Sequence, residues 1–258
     1  MTTLAHIEND EPTTWQELEI RVTRVLAEAA FLAERGKALD SARGSVNVDV
    51  YARDESINPP ILTLFECKHW KRPVPQTVVH AFRTVVADTG ANAGLIVSRS
   101  GFQSGANSAT SFSNVKLVNW YEFQELYAER WYSNYMMRTG WTTLSPLIEY
   151  VEPINSRVLT KADALTPAEL EKFRLLRRKY SSAMALVPVF FVLPKGFLAA
   201  QVPPTLPLRD NFRGVLDHEE NFPDYVLDAP SLRNLLDAVI RYTEAACAEF
   251  DEVFGERA

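Results

Sequence analysis

The sequence contains few of the residues that build disulfide frameworks and zinc sites. Its 258 residues include only two cysteines, Cys67 and Cys247, and four histidines. There is no CxxC motif, and no His/Cys pair has the spacing of zinc ligands. The composition therefore argues against both kinds of site, and we expect two free thiols.

Long apolar runs are also missing. The longest, residues 183–193, is interrupted by Pro188 and is shorter than the roughly 18–20 residues that a membrane-spanning helix needs. The opening stretch MTTLAHIENDEPTTW has neither the basic region nor the apolar region of a secretory signal. We therefore expect a cytoplasmic protein with no membrane partner.

The chain has no excess of positive charge. Its formal net charge is −6, and the halves match, because residues 1–125 contain 12 basic and 15 acidic residues and residues 126–258 contain 15 and 18. This balance excludes a basic nucleic-acid-binding arm and argues against tight DNA binding through bulk electrostatics, although it permits a local basic surface. The length allows one large domain or two small ones.

The first half alternates helical and extended patterns. Thr14-Trp15-Gln16-Glu17 reads as a capping box that begins a helix, SVNVDVY (45–51) and ILTLFECK (61–68) read as an antiparallel strand pair, and PQTVVHAFRTVVADTGA (75–91) reads as a second helix. AGLIVS (93–98) and VKLVNW (115–120) predict further strands on either side of a short helix. The pattern also allows a further short strand near residues 38–43. The order predicts an α/β domain with a mixed sheet covered on both faces.

Three charged side chains interrupt the apolar strands of the predicted pair. In 45–51, Val46, Val48 and Val50 are expected on one face and Asp49 on the other, while Glu66 and Lys68 share one face of the next strand. If the polar faces coincide, Asp49, Glu66 and Lys68 converge. Two adjacent carboxylates repel each other unless a cation lies between them, and a hard divalent cation with oxygen ligands is the usual solution.

Such a site would suit phosphodiester hydrolysis. The backbone carbonyl of Cys67 is a natural third metal ligand, and Lys68 can orient or deprotonate a water molecule beside the ion. A buried salt-bridge cluster is the structural alternative for the same three residues.

The ordered set of motifs resembles the PD-(D/E)XK nuclease superfamily, and more particularly the Mrr-type restriction endonuclease domain. It consists of Asp49, a sixteen-residue spacer and Glu66-Cys67-Lys68, followed by a helix and by GANAGLIVSRSGFQSGA and VKLVNW, and it covers about residues 14–125. The resemblance implies an αβββαβ core, Mg²⁺-dependent DNA hydrolysis that leaves 5′-phosphate ends, metal ligation by Asp49 and Glu66, and a catalytic Lys68. The sequence differs from the family pattern at two positions. Val48 stands where the motif PD-(D/E)XK has proline, and many Mrr-like domains have glutamine at the position of Glu66.

Related nucleases often place a glutamate of the first helix near the metal, which makes Glu17 and Glu19 the candidates. The capping box already explains Glu17, whereas Glu19 lies on the rim of the apolar stripe and is the better candidate for the catalytic set. The residues expected to contact nucleic acid are Lys71, Arg72, Gln76 and Arg99.

The second half is expected to be mainly helical. A capping box at Thr166–Glu169 begins a helix to about residue 181, and residues 231–254 form a long amphipathic helix. The prolines of LVPVFFVLPKGFLAAQVPPTLPL exclude a long helix there and allow short edge strands or extended segments. Residues 172–180, KFRLLRRKY, are either a solvated helix face or a DNA-facing strip.

We expect a nuclease domain over 1–138, a linker around 139–165, and a C-terminal region over 139–258 that recognises a target, binds a partner or dimerises. The predicted function is a Mg²⁺-dependent DNA endonuclease, with Mn²⁺ able to substitute, that acts in restriction or antiphage defence as a homo-oligomer or with a partner protein of a defence system. The alternative is a catalytically silent sensor module with the nuclease fold. Action on RNA or branched DNA shares the same chemistry, and the sequence does not rank these substrates.

Overall fold

The computed structural model describes residues 5–190, 202–212 and 222–255. The chain divides into two compact units, residues 10–134 and residues 1–9 together with 135–258. The division after residue 134 lies close to the expected boundary at 138, which remains a prediction. In the described part of the chain, no helix is long and apolar enough to span a membrane.

A five-stranded mixed sheet forms the centre of the first unit. Its strands follow the order β1-β2-β3-β4-β5, with β1, β2 and β3 antiparallel and β3, β4 and β5 parallel. The strands are β1 (Leu32–Ser41), β2 (Gly44–Asp54), β3 (Ile61–Lys68), β4 (Ala93–Ser98) and β5 (Val115–Asn119). The mixed sheet and the αβββαβ order of the core are confirmed.

Helices pack against this sheet. They are α1 (Trp15–Glu28), α2 (Gln76–Asp88), α3 (Ser104–Ala109) and α4 (Trp120–Trp131). The hydroxyl of Thr14 accepts the backbone N–H of Glu17 as expected, but the Glu17 carboxylate bonds to Thr13 and Arg21 instead of completing the box at Thr14. The sheet therefore has helical cover, as the apolar pattern of β4 predicted.

Strand β1 is longer than the short strand that was left open near 38–43. It pairs with β2 from Leu32↔Arg53 to Ser41↔Gly44, and none of its ten residues is buried. The strand is held by its ladder to β2 rather than by apolar burial of its own.

The ladder between β1 and β2 is interrupted at one position. Pairing passes from Arg35↔Val50 to Lys37↔Val48 without a pair at Gly36 and Asp49, and Gly36 has a left-handed φ of 62°. Backbone in this region favours glycine, because a Cβ atom would crowd the following carbonyl.

This irregularity corrects the expected alternation in β2. Val48 belongs to the core cluster under α2 that also contains Tyr51 and Leu64, whereas Val50 lies opposite Phe65 and shares the other face of the sheet. The ring of Phe65 packs edge-on against Phe123 of α4. The β2 valines therefore do not share one face.

Arg130 joins three elements of the first unit. Its guanidinium forms a two-pronged ion pair with Asp54 at the end of β2 and donates to the carbonyls of Ala29 and Ala30 after α1. It also lies 3.8 Å from the centroid of the Phe31 ring. Arg130 therefore satisfies orphan carbonyls at the end of α1 and neutralises a buried carboxylate in the same contact.

The second unit is helical in its described part, which confirms a mainly helical C-terminal region. A π-helical turn (Tyr132–Met136) spans the division after residue 134. The elements after it are α5 (Met137–Val151), α6 (Ser156–Ala162), α7 (Pro167–Tyr180), a 3₁₀ segment (Ser181–Leu186), α8 (Val187–Phe190), α9 (Leu208–Phe212), α10 (Asp224–Leu227) and α11 (Leu232–Phe254). The capping box of α7 and the Ser231 cap of α11 are present as predicted.

Two expectations for the second half need correction or fall outside the structure. Residues 139–165 do not form an extended linker, because α5 and α6 occupy most of them and Pro146 is tolerated inside α5. In the Pro-rich stretch, residues 187–190 are helical rather than extended, and residues 191–201 lie outside the described residues.

Residues close to the N-terminus pack in this second unit. The carbonyls of His6 and Ile7 accept the backbone N–H groups of Leu232 and Arg233 at 2.9 Å, and Glu8 pairs with the Arg233 guanidinium. These bonds satisfy two amides in the first turn of α11, which have no partner within the helix itself.

The basic residues of α7 have protein partners. Lys172 and Lys179 pair with Glu252 and Glu249 of α11, while Arg174 and Arg178 both reach Glu171. Arg177 donates to the last carbonyls of α5. These contacts favour the reading of 172–180 as a solvated helix face.

Candidate active site

The candidate site lies where β2 and β3 stop pairing. The last pairs of their antiparallel ladder are Tyr51↔Leu64 and Val50↔Phe65, and Asp49 and Glu66 are the next residues of the two strands. The ladder does not extend to this pair, so regular pairing alone does not place their side chains. The ion pairs of Lys68 show that both carboxylates reach the same point at the end of β3.

Three of the predicted residues meet at this point. The Lys68 ammonium pairs with Oε1 of Glu66 and lies 3.7 Å from Oδ2 of Asp49. The same Asp49 oxygen accepts a hydrogen bond of 2.7 Å from the backbone N–H of Cys67. The side chains of Asp49, Glu66 and Lys68 are 28%, 24% and 16% exposed, so the cluster is largely desolvated and still open to a ligand from one side.

The electrostatics of the cluster follow from this packing. Burial raises the pKa of Glu66, and the neighbouring Asp49 raises it further, while Lys68 opposes both effects. Burial alone would lower the pKa of Lys68, but Glu66 and Asp49 outweigh it and leave the Lys68 pKa above its ordinary value. At neutral pH Lys68 is therefore an ammonium shared by two acidic groups.

Glu19 of α1 lies within electrostatic reach of these residues. Partial burial raises its pKa, the nearby Asp49 raises it further, and Arg35 and Lys68 lower it. In the described part of the chain no hydrogen bond or ion pair joins the Glu19 side chain to Asp49, Glu66 or Lys68. The structure thus brings Glu19 near the cluster without direct contact.

Cys67 contributes its backbone to the site. The amide and carbonyl of one strand residue point to the same neighbouring strand, so the bond from Cys67 N–H to Asp49 directs the Cys67 carbonyl toward β2 as well. Its thiol is buried, and burial raises the thiol pKa well above its ordinary value. The thiol is therefore a neutral core group.

The four residues expected to contact nucleic acid lie beyond the ends of β3 and β4. The side chains of Lys71, Arg72, Gln76 and Arg99 are exposed. The backbone of Arg99 donates to the Lys68 carbonyl at 3.1 Å, which places it directly beside β3. The Gln76 amide lies against Gly105 of α3, where a Cβ atom would come within 2.8 Å of it.

Trp70 is a candidate binding residue that the sequence reasoning missed. Its indole is 43% exposed, and Lys68 Nζ lies 5.9 Å from the ring centroid. An aromatic residue within the basic turn after Lys68 was the available signal.

The donor set fits a hard divalent cation in type. Asp49 and Glu66 direct carboxylate oxygens toward one point, now taken by the Lys68 ammonium, and such oxygens are the ligands that Mg²⁺ prefers. Over residues 5–190, 202–212 and 222–255, no three Asp, Glu, His or Cys side chains are grouped closely enough to hold a metal by themselves. A bound ion would therefore need ligands besides these two side chains, such as a backbone carbonyl, water or substrate phosphate.

Comparison with known proteins agrees with the fold and with the sequence resemblance. Residues 11–127 match the model of a restriction endonuclease family, the Mrr catalytic domain. The matched segment contains the whole five-stranded sheet and the cluster of Asp49, Glu66 and Lys68. No curated protein in the comparison matches the chain.

Two solved structures are similar to the chain at low TM-scores. One is the crystal structure of a protein of unknown function, AF1548, with 15% identity over 92% of this chain and 96% of that chain and a TM-score of 0.34. The other is the MspJI restriction endonuclease in complex with a 27-mer oligonucleotide, with 21% identity over 45% of this chain and 28% of that chain and a TM-score of 0.30.

Proposed function

We propose that this protein is a metal-dependent endonuclease that hydrolyses phosphodiester bonds of DNA. The observation that carries the proposal is the convergence of Asp49 and Glu66 on Lys68 within a restriction endonuclease domain. Three ionisable groups in a partly desolvated cluster are typical of sites that do chemistry, since such clusters contribute little to stability.

Asp49, Glu66 and the Cys67 carbonyl would hold the ion in this proposal. Mg²⁺, or Mn²⁺ in its place, would supply positive charge that polarises the attacked phosphate and lowers the pKa of a bound water molecule. The hydrogen bond from Cys67 N–H fixes one Asp49 oxygen, so the Asp49 side chain is already oriented before any ligand enters.

Lys68 acts as a proton donor and charge stabiliser in this arrangement. Its ammonium carries three N–H groups, which can orient the attacking water and bind a non-bridging phosphate oxygen. Glu19, on the rim of the cluster, is proposed to orient a second water molecule.

DNA is the proposed partner of the surface beyond β3. Lys71, Arg72, Gln76 and Arg99 are exposed there, and lysine and arginine bind phosphates of the backbone. The C-terminal region is proposed to choose the target, bind a partner protein or dimerise. Restriction or antiphage defence in the cytoplasm is the proposed setting.

A catalytically silent sensor is the second candidate. It is favoured by one observation, namely that Lys68 already pairs with both carboxylates, so each of them has a cationic partner without a metal. Isothermal titration with Mg²⁺ and Mn²⁺ separates the candidates, because an enzyme of this kind must bind the ion and a silent module need not.

Cleavage assays with purified protein test the proposal. Supercoiled and linear DNA, modified and unmodified, single strands and RNA are incubated with Mg²⁺, Mn²⁺ or EDTA. We expect metal-dependent cleavage of DNA that falls by at least about 100-fold in Lys68→Ala and Asp49→Ala, the usual loss when a catalytic electrostatic group is removed. Lys116→Ala, an exposed lysine of β5, is the matched control and keeps its activity. Unchanged cleavage by Lys68→Ala would refute the proposal.

A further inference from the structure

Trp70 is an exposed aromatic residue next to the candidate site. Trp15 and Trp70 of the first unit are 55% and 43% exposed, whereas Trp120 and Trp131 are buried, and the ring centroid of Trp70 lies 5.9 Å from Lys68 Nζ. Single exposed apolar side chains are ordinary on a protein surface, so what distinguishes Trp70 is its position beside the charged cluster.

The segment that carries Trp70 is fixed to the neighbouring loop after β4. The Trp70 carbonyl accepts the Ser100 hydroxyl at 2.5 Å, and Val74 exchanges two backbone hydrogen bonds with that loop, from Val74 N–H to Gly101 at 2.9 Å and from Gln103 N–H to Val74 at 3.0 Å. An exposed ring on an anchored backbone loses little conformational freedom on binding, which favours a ligand that covers it.

Basic residues follow Trp70 directly in the chain and precede Ser100 in the loop bonded to it. Lys71, Arg72 and Arg99 are exposed, and among the described residues their side chains have no ion-pair partner. An aromatic face with free cations beside it matches the chemistry of a nucleic-acid strand, in which bases stack on rings and phosphates pair with lysine and arginine.

We propose that Trp70 stacks on an unpaired nucleobase adjacent to the phosphate held at Asp49, Glu66 and Lys68. The inference rests on the proposed function and narrows its substrate to DNA that is single-stranded, distorted or opened at the cleavage point. In an intact duplex both faces of each base are covered by its neighbours, so an indole reaches a base only after the base leaves the stack.

The alternative role for Trp70 is to position the Lys68 ammonium through a cation–π contact, without touching a base. That role predicts a change in turnover with the affinity for single strands unchanged. A stacking role predicts a change in affinity even when no chemistry occurs.

The test is binding to the full chain in EDTA, where no cleavage takes place. Fluorescence anisotropy is measured with a single strand and with the matched duplex, and a 2-aminopurine base placed along the strand reports stacking directly. The variants are Trp70→Ala, Trp70→Phe, which retains a ring, and Phe112→Ala, a fully exposed aromatic of another loop, as control. Thermal melting verifies that each variant is folded.

We expect Trp70→Ala to weaken single-strand binding about 5- to 150-fold, which corresponds to about 1–3 kcal/mol for one stacked base. Duplex binding changes by less than about twofold, Trp70→Phe restores most of the affinity, and 2-aminopurine fluorescence is quenched by the wild type and not by Trp70→Ala. An unchanged affinity in Trp70→Ala, an equal loss for single strand and duplex, or no single-strand binding by the wild type would overturn the inference. Because the binding assay contains no metal, it is independent of the cleavage assay. Loss of the stacking inference therefore leaves the proposed nuclease activity untouched, and stacking can be observed in a protein that does not cleave.

Discussion

The carboxylate of Asp49 accepts the backbone N–H of Cys67 across 2.7 Å, just beyond the last ladder pair of β2 and β3. The Asp49 carboxylate thus takes the role that a backbone carbonyl of β2 has within the ladder, because it accepts an N–H group of β3. This bond holds the carboxylate at the strand end and leaves it facing Lys68. The position of Asp49 therefore depends on how β2 departs from regular geometry.

Gly36 lies at the gap in the β1–β2 ladder where Asp49 has no paired residue. We expect Gly36→Ala to lower the free energy of unfolding. Its φ of 62° is left-handed, and a Cβ atom there would meet no atom within 4 Å, so the penalty is purely one of backbone conformation. Such a conformation costs a residue with a Cβ atom about 1–2 kcal/mol. Urea unfolding measures the difference.

Gly36→Asn is the matched control for this prediction. Asparagine tolerates left-handed backbone better than alanine does, so its loss of stability should be clearly smaller. Equal stabilities of the wild type, Gly36→Ala and Gly36→Asn would show that the left-handed turn opposite Asp49 is not needed.

Asp54→Asn is expected to lower the free energy of unfolding by about 2–3 kcal/mol at neutral pH, because it removes a charged partner of Arg130. Hydrogen bonds from Arg130 hold the pKa of Asp54 well below its ordinary value. A carboxyl group with a lowered folded-state pKa stabilises the protein fully above its unfolded pKa, about 4, and loses this effect as the pH falls toward the folded value.

The difference between wild type and Asp54→Asn should therefore shrink below about pH 4, the range in which unfolded aspartate is protonated. Denaturant unfolding from pH 3 to pH 7 measures it. The control is Asp40→Asn, at an exposed position of β1, which should differ from wild type by less than about 0.5 kcal/mol. A pH-independent difference would contradict the ion-pair account.

Ala30→Gly should stabilise the protein. Ala30 follows α1 with a left-handed φ of 63°, and Phe31 N–H bonds back to the carbonyl of Leu26, a helix end at which glycine is preferred. Relief of this strain, offset by the greater freedom of glycine in the unfolded chain, should add about 0.5–1 kcal/mol to the free energy of unfolding.

The same substitution inside the helix should have the opposite sign. Ala27→Gly, at an exposed position of α1, should lower the free energy of unfolding by about 1 kcal/mol. Thermal or urea unfolding of both variants measures the pair, and a loss of stability in Ala30→Gly would contradict the strain argument.

The elements that were predicted well have strong apolar patterns of their own. β3 and β4 begin and end at the predicted residues, and α11 begins one residue after its Ser231 cap. Each has enough buried side chains to define its face locally, so periodicity alone was sufficient to identify it.

The elements that were missed or only partly predicted depend on their partners. β1 was left open as a short strand near 38–43, because it has no buried residue and a glycine at its centre, and its full length is defined by the ladder to β2. α5 contains Gly140 and Pro146, residues that disfavour helix in isolation, yet Gly140 allows the Phe190 ring to pack directly on its backbone. In both β1 and α5 the secondary structure is therefore determined by packing against the rest of the fold and not by the local sequence.

The candidate site was only partly predictable. The sixteen-residue spacer and the expected pairing of β2 with β3 predicted the convergence of Asp49, Glu66 and Lys68, whereas the expected alternation of the β2 valines was wrong. The irregular backbone at Gly36 and the bond from Cys67 to Asp49 had no sequence signal, because both depend on how two strands diverge. Trp70 was missed because exposure of a single aromatic side chain is set by its surroundings and not by periodicity.

Divalent-metal binding tests the central claim most directly. Isothermal titration calorimetry with Mn²⁺ compares the wild type with Asp49→Asn and Glu66→Gln, and with Glu55→Gln, an exposed glutamate after β2, as control. We predict one site in the wild type, a loss of affinity of at least about tenfold in each site variant, and no change in Glu55→Gln. Absence of Mn²⁺ binding by the wild type, or equal affinity in Asp49→Asn and Glu66→Gln, would contradict the account.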